Sequence, residues 1–108
     1  MIKKTYSKTG KHCRVTFKIA PGAEAQSAAI CGDFNNWDQC SKLMRKTTTG
    51  AFFITCSLPA GQSYRFRYLI DGHQWQNDDM ADGYVMNDHG SSDCILTIRT
   101  RAETMISG

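Results

Sequence analysis

The chain has 108 residues, 41% of them hydrophobic, with 13 Lys and Arg against 10 Asp and Glu and a formal charge of +3. That length holds one domain, buries roughly two-thirds of its unfolded surface, and is too short for an enzyme with a cleft between two domains. The mild charge is spread along the chain, apart from Lys3-Lys4 and Arg99/Arg101 at the ends, and leaves no concentrated nucleic-acid footprint.

The N-terminal run Met1-Ile2-Lys3-Lys4-Thr5-Tyr6 is basic but leads into no apolar segment. No secretory signal and no bilayer-spanning run is expected, which points to a cytoplasmic location. Residues 1–11 read as a loose segment, 12–100 as the domain and 101–108 as a loose tail. Within the domain, Val15, Phe17 and Ile19 alternate with Arg14, Thr16 and Lys18, and Pro21-Gly22 ends that strand. Ala28 and Ile30 lead into Gly32. Phe52, Ile54, Cys56 and Leu58 form a second alternating run before the turn Pro59-Ala60-Gly61. Phe66, Tyr68 and Ile70 form a third, closed by Asp71-Gly72, a hairpin signal because both turn residues tolerate positive φ. Residues 76–92 are polar and read as a long loop with one short strand around Tyr84-Val85-Met86. A final strand runs from Cys94 to Arg99. No stretch has helical periodicity. Short strands at regular spacing, punctuated by Gly, Pro, Asn and Asp, predict an all-β antiparallel sandwich.

Five cysteines are an odd number without C-x-x-C spacing, so they read as reduced, buried thiols. His12 beside Cys13 is not a chelating spacing, and neither a metal site nor a cofactor is expected. Asp78, Asp79, Asp82 and Asp88 invite an enzyme or calcium reading. Carboxylates strung on a flexible, wet loop fit neither the rigid pair of a glycosidase nor the ligand spacing of a calcium loop.

The chemistry-bearing residues lie elsewhere. The only two tryptophans, Trp37 and Trp75, each stand in or beside a turn rather than within an apolar run. Arg67 lies between them on an alternating strand, on the face opposite Phe66 and Tyr68 and shared with Arg65. Flat indoles accept the C–H patches of pyranose rings, and guanidinium and amide groups hydrogen-bond the hydroxyls. Each residue also has a plain structural reading. Trp37 can be core, Arg67 a solvated strand residue, Asp33 a turn acceptor, Asn35 and Asn36 turn formers, and His89 an exposed loop residue.

Gly32-Asp33-Phe34-Asn35-Asn36-Trp37-Asp38, Gly50-Ala51-Phe52 with Leu58-Pro59-Ala60-Gly61, Tyr64-Arg65-Phe66-Arg67-Tyr68-Leu69-Ile70-Asp71-Gly72 and Trp75-Gln76-Asn77-Asp78 occur in that order. This array resembles carbohydrate-binding module family 48, which includes the N-terminal domains of isoamylases and branching enzymes and the glycogen-binding domain of the AMP-activated protein kinase beta subunit. The resemblance covers roughly residues 13–99. It implies an immunoglobulin-like sandwich of the early-set type that binds α-1,4-glucans such as glycogen or starch. By position it implies stacking roles for Trp37 and Trp75 and places Arg67 where the kinase domain has a lysine. Ser91 and Asp93 fall where that domain has a sugar-contacting threonine and asparagine, and His89 where it has a leucine that wedges into the glucan. Asn36 is carried as a further polar contact.

The function expected is a non-catalytic α-glucan-binding module. The alternative is a protein-interaction module that docks a glucan-active enzyme through its aromatic face or an edge strand. A fragment of a larger glucan-active enzyme is the third reading, and the start at Met1 is taken to favour a stand-alone protein. Neither a nucleic-acid nor a membrane partner is expected.

Overall fold

The computed structural model describes residues 1–22, 24–39 and 41–100. Nine strands build two antiparallel sheets. They are β1 (Ile2–Tyr6), β2 (His12–Ile19), β3 (Ala28–Gly32), β4 (Arg45–Lys46), β5 (Phe52–Pro59), β6 (Gln62–Ile70), β7 (Gln74–Gln76), β8 (Gly83–Met86) and β9 (Ser92–Ile98), with one 3₁₀ turn at Asp33–Asn35. One sheet has the order β1-β2-β5-β4 and the other β3-β6-β9-β8, with β7 pairing the far end of β6. The fold is an all-β, immunoglobulin-like sandwich.

The core follows from the pleat. Val15 and Phe17 of β2, Phe52, Cys56 and Leu58 of β5, Tyr64, Phe66 and Tyr68 of β6, and Leu96 and Ile98 of β9 point into one buried cluster. Aromatic rings meet edge-to-face at its centre, with Phe17 and Phe66 centroids 5.2 Å apart at 60°. Cys13, Cys31, Cys56 and Cys94 are buried, and burial pushes the thiols of Cys13, Cys56 and Cys94 upward from the usual value. Cys40 and the tail 101–108 lie outside the described residues.

The N-terminal segment is not loose over its first half. Ile2–Tyr6 pairs with β2 in the register Ile2 to Phe17, Lys4 to Val15 and Tyr6 to Cys13. Ile2 and Tyr6 pack on the core. Lys4 occupies the core-facing position between them, which breaks the apolar alternation in the sequence. Its ammonium escapes at the sheet edge to Asp82 Oδ2 at 2.7 Å and the Thr97 carbonyl at 2.8 Å.

Residues 76–92 are likewise more ordered than a wet loop. Asp78 is 3% exposed. Its Oδ2 accepts the Tyr68 hydroxyl at 2.6 Å and lies 3.3 Å from the N-terminal amine, and its Oδ1 accepts the Met80 N–H. Burial and this carboxylate push the Tyr68 hydroxyl far above its usual range. Asp82 Oδ2 accepts the Thr97 N–H as well as Lys4. These two aspartates are structural anchors, and only the polar composition of the segment made it read as mobile.

The β6–β7 hairpin turns through Asp71 and Gly72 at φ 52° and 76°, the pair of left-handed residues a tight hairpin requires. Asp71 Oδ1 also accepts the backbone N–H groups of Gln26 (2.8 Å) and Ser27 (2.9 Å), which hold its carboxyl below the usual carboxylate value. A lowered folded-state value adds stability above the unfolded pKa of about 3.9, and the contribution fades as pH falls through the folded value. Urea midpoints of Asp71→Asn and the wild type should therefore differ most near neutral pH and converge below about pH 3.9. A gap that stays constant down to acid pH contradicts this assignment.

Candidate carbohydrate-binding site

The site lies on the outer face of the β3-β6-β9-β8 sheet. Tyr64, Phe66 and Tyr68 point inward along β6, so Arg65, Arg67 and Leu69 point outward. Trp75 stands directly opposite Leu69 in the β6–β7 register, which places it diagonally beside Arg67 on the same face. The Arg67 guanidinium carbon is 5.8 Å from the Trp75 ring centroid, within cation–π range. Arg67 Nε donates to Asn77 Oδ1 at 2.8 Å, and Asn77 Nδ2 donates to the Ser92 carbonyl. Trp75 is 38% exposed.

Trp37 arrives from the other side of β6. Its ring covers a small cluster formed by Ala29, Cys31 and Leu69, which is why β3 is buried on both faces. The half-buried indole is thus both packing residue and rim. Asn36 and Trp37 both adopt left-handed backbone, φ 54° and 59°. Asn tolerates this region, but a bulky Trp rarely enters it, and such outliers cluster at functional sites. The loop is held by side chains. Asp33 Oδ1 accepts the Trp37 indole N–H at 3.1 Å, and Oδ2 accepts the Arg65 backbone N–H at 2.8 Å. Asn35 Oδ1 accepts the Gly32 N–H, and its amide donates to the carbonyls of Ile30 and Asp38 and to Ser41 Oγ.

The third wall is the turn between β8 and β9. Asn87 Oδ1 accepts the N–H groups of His89 and Ser91, and Asn87 Nδ2 donates to Asp93 Oδ1 at 3.0 Å. This Asx geometry fixes a turn without core contacts.

Trp37, Arg67, Trp75, His89, Ser91 and Asp93 line one open cavity of about 580 Å³. Asn36 does not line it; its exposed side chain sits at the left-handed turn position. Asp93 borders the cavity but is 6% exposed, with Oδ1 already bonded to Asn87. Asp33, Arg65, Asn87 and Asp88 complete the lining. Arg65 could be found from its period-two match to Arg67, and Asn87 from the Asn-Asp-His-Gly turn run. Among the described residues, no group of three metal-ligating side chains comes together.

A two-sheet immunoglobulin-like sandwich with indoles, a guanidinium and loop amides set on one outer sheet face is an architecture suited to recognising a polyhydroxylated surface. The profile of the family described as the glycogen recognition site of AMP-activated protein kinase matches residues 8–104, and the chain belongs to that family. No curated protein matches the chain.

Gly32 fixes the approach of the Trp37 loop. A Cβ there would collide with the Arg65 carbonyl oxygen and lie 2.9 Å from both the Phe34 ring and Phe66 Cβ. Gly32→Ala should cost about 1–3 kcal/mol in urea unfolding, as overpacking does, and should shift the Trp37 loop off β6. An unchanged unfolding midpoint would show that the close approach is relaxed in solution.

Proposed function

We propose that this chain is a non-catalytic α-glucan-binding module in which Trp37 and Trp75 flank the sugar and Arg67 orients its hydroxyls. The observation that carries the reading is the convergence of both tryptophans on one cavity with Arg67 held against Trp75. Membership of the glycogen-recognition family supports glycogen or a starch-like chain as the ligand.

The mechanism is binding alone. A glucan lies across the outer sheet face with a pyranose C–H face on Trp75 and an adjoining unit against Trp37. Arg67, already immobilised by Asn77, offers its remaining N–H groups to hydroxyls. Ser91 and His89 donate or accept from the opposite rim. Each hydroxyl exchanges water for protein at small net gain. Affinity for an oligosaccharide should be on the order of 10 µM to 1 mM, about −4 to −7 kcal/mol.

Hydrolysis is not part of the proposal. Glycosidic cleavage needs two carboxylates on rigid supports, one free to carry a proton. At the cavity, Asp33 uses both oxygens structurally and Asp93 is buried against Asn87, while Asp88 stands exposed on a turn. Prolonged incubation with glycogen should release no reducing sugar above buffer.

Titration with maltoheptaose tests the site. Trp75→Ala should reduce affinity about five- to 150-fold, the loss expected of a stacking residue worth about 1–3 kcal/mol, with the melting temperature nearly unchanged. Trp37→Ala should lose comparable affinity and also some stability, because its ring covers Leu69 and Cys31. Arg67→Ala should lose less, since a hydrogen bond nets about 0.5–1.5 kcal/mol, rising to about 3 when charged. A larger loss from Arg65→Ala than from Arg67→Ala would move the sugar off the Arg67–Trp75 pair. Undiminished binding in Trp75→Ala would sink the platform altogether.

A further inference from the structure

The opposite side of the sandwich carries a second organised surface. The four strands β1, β2, β4 and β5 contain no acidic residue at all. Their pairing gathers the outward side chains into rows. Lys3 lies beside Thr16, which lies beside Thr55. Thr5, Arg14 and Ser57 form the next row. Lys18, Phe53 and Arg45 form the row on the other side. His12 stands opposite Pro59 at the end. Lys3, Thr5, His12, Arg14, Lys18, Arg45, Thr55 and Ser57 are exposed. Among the described residues, Lys3, Arg14, Lys18 and Arg45 form no ion pair. Cations that are far apart in sequence thus stand on neighbouring strands about 4.8 Å apart.

We infer that this sheet face docks a carboxylate-rich protein surface. Uncompensated cations of one sign call for an anionic partner, and the interleaved Thr and Ser hydroxyls supply short donors to carboxylate oxygens. A membrane is disfavoured because the face is flat, Phe53 is half-buried, and the exposed Met1 beside Lys18 is a single side chain at the sheet edge rather than an apolar stripe that could insert. Single-stranded nucleic acid is disfavoured because no exposed aromatic stands among the cations to stack a base. The cationic array spans roughly 14 by 20 Å from strand geometry, well below the area of a permanent interface. The contact is therefore weak, fast and salt-sensitive. It faces away from the cavity, so a docked partner leaves the Trp75 face open.

A fluorescent polyglutamate peptide is the probe, titrated with the whole chain at low and at physiological ionic strength. Vesicles rich in anionic lipid and a single-stranded oligonucleotide serve as competing arms. Polyglutamate should bind at low salt and weaken as salt rises. Arg14→Glu/Lys18→Glu should weaken it about tenfold or more, several surface charge contacts at up to about 1 kcal/mol each being lost or reversed. Arg14→Gln/Lys18→Gln gives the same direction if the reversal misfolds. Lys42→Glu/Arg99→Glu, with the same change in net charge off this face, should retain most of the binding. Glycogen binding, measured on the same proteins, should be unaffected by the Arg14/Lys18 changes. Equal loss in both reversed pairs would reduce the effect to net charge and overturn the inference. So would absence of polyglutamate binding at low salt, or tighter binding to the vesicles or the oligonucleotide.

Discussion

A strand has two faces, and successive side chains cannot share one. On β6 this constraint joins stability to recognition. Tyr64, Phe66 and Tyr68 enter the core while Arg65, Arg67 and Leu69 face outward between them. A register slip of one residue would drive two guanidiniums into the core and expose three aromatic rings. Burial of those rings therefore positions Arg67 as firmly as it positions Phe66. The strand is further pinned by β3 on one side and by β9 and β7 on the other. The outward residues inherit this rigidity while contributing little to the core.

The loops that complete the cavity are organised by a different means. Asn35 and Asn87 each sit inside a turn and satisfy backbone groups with one side-chain amide. Asp33 ties the Trp37 indole to the backbone of β6. Ordering of these segments occurs during folding, so a ligand meets groups already in place. The strain of a tryptophan at positive φ is held by the same bonds.

What could be read from the sequence was local. Alternation in β2, β5 and β6, the Asp71-Gly72 turn and the two turn-flanking tryptophans are features of neighbouring residues. Features that depend on distant pairing were hidden. β1 was obscured because Lys4 takes an inward position, made tolerable by its bonds to Asp82 and the Thr97 carbonyl at the sheet edge. Asp78 looked like part of a wet acidic run, yet Tyr68, ten residues earlier, draws it into the interior. Asp93 looked available to a ligand, but Asn87 occupies one of its oxygens. Basic residues that appear dispersed along the chain converge only when β1, β2, β4 and β5 are laid side by side.

Both tryptophans stand on the outer face of one sheet, and none is in the central core. Tyr64 and Tyr68, by contrast, are inside it. The protein has thereby separated its chromophores by location. Light absorbed only by indole samples the rim of the cavity and the small cluster under Trp37 rather than the central core, whereas Tyr64 and Tyr68 lie within that core. Drying of the Trp75 ring would shift its emission to the blue. Trp75 also lies against a guanidinium 5.8 Å away, so its excited state feels the position of Arg67 directly.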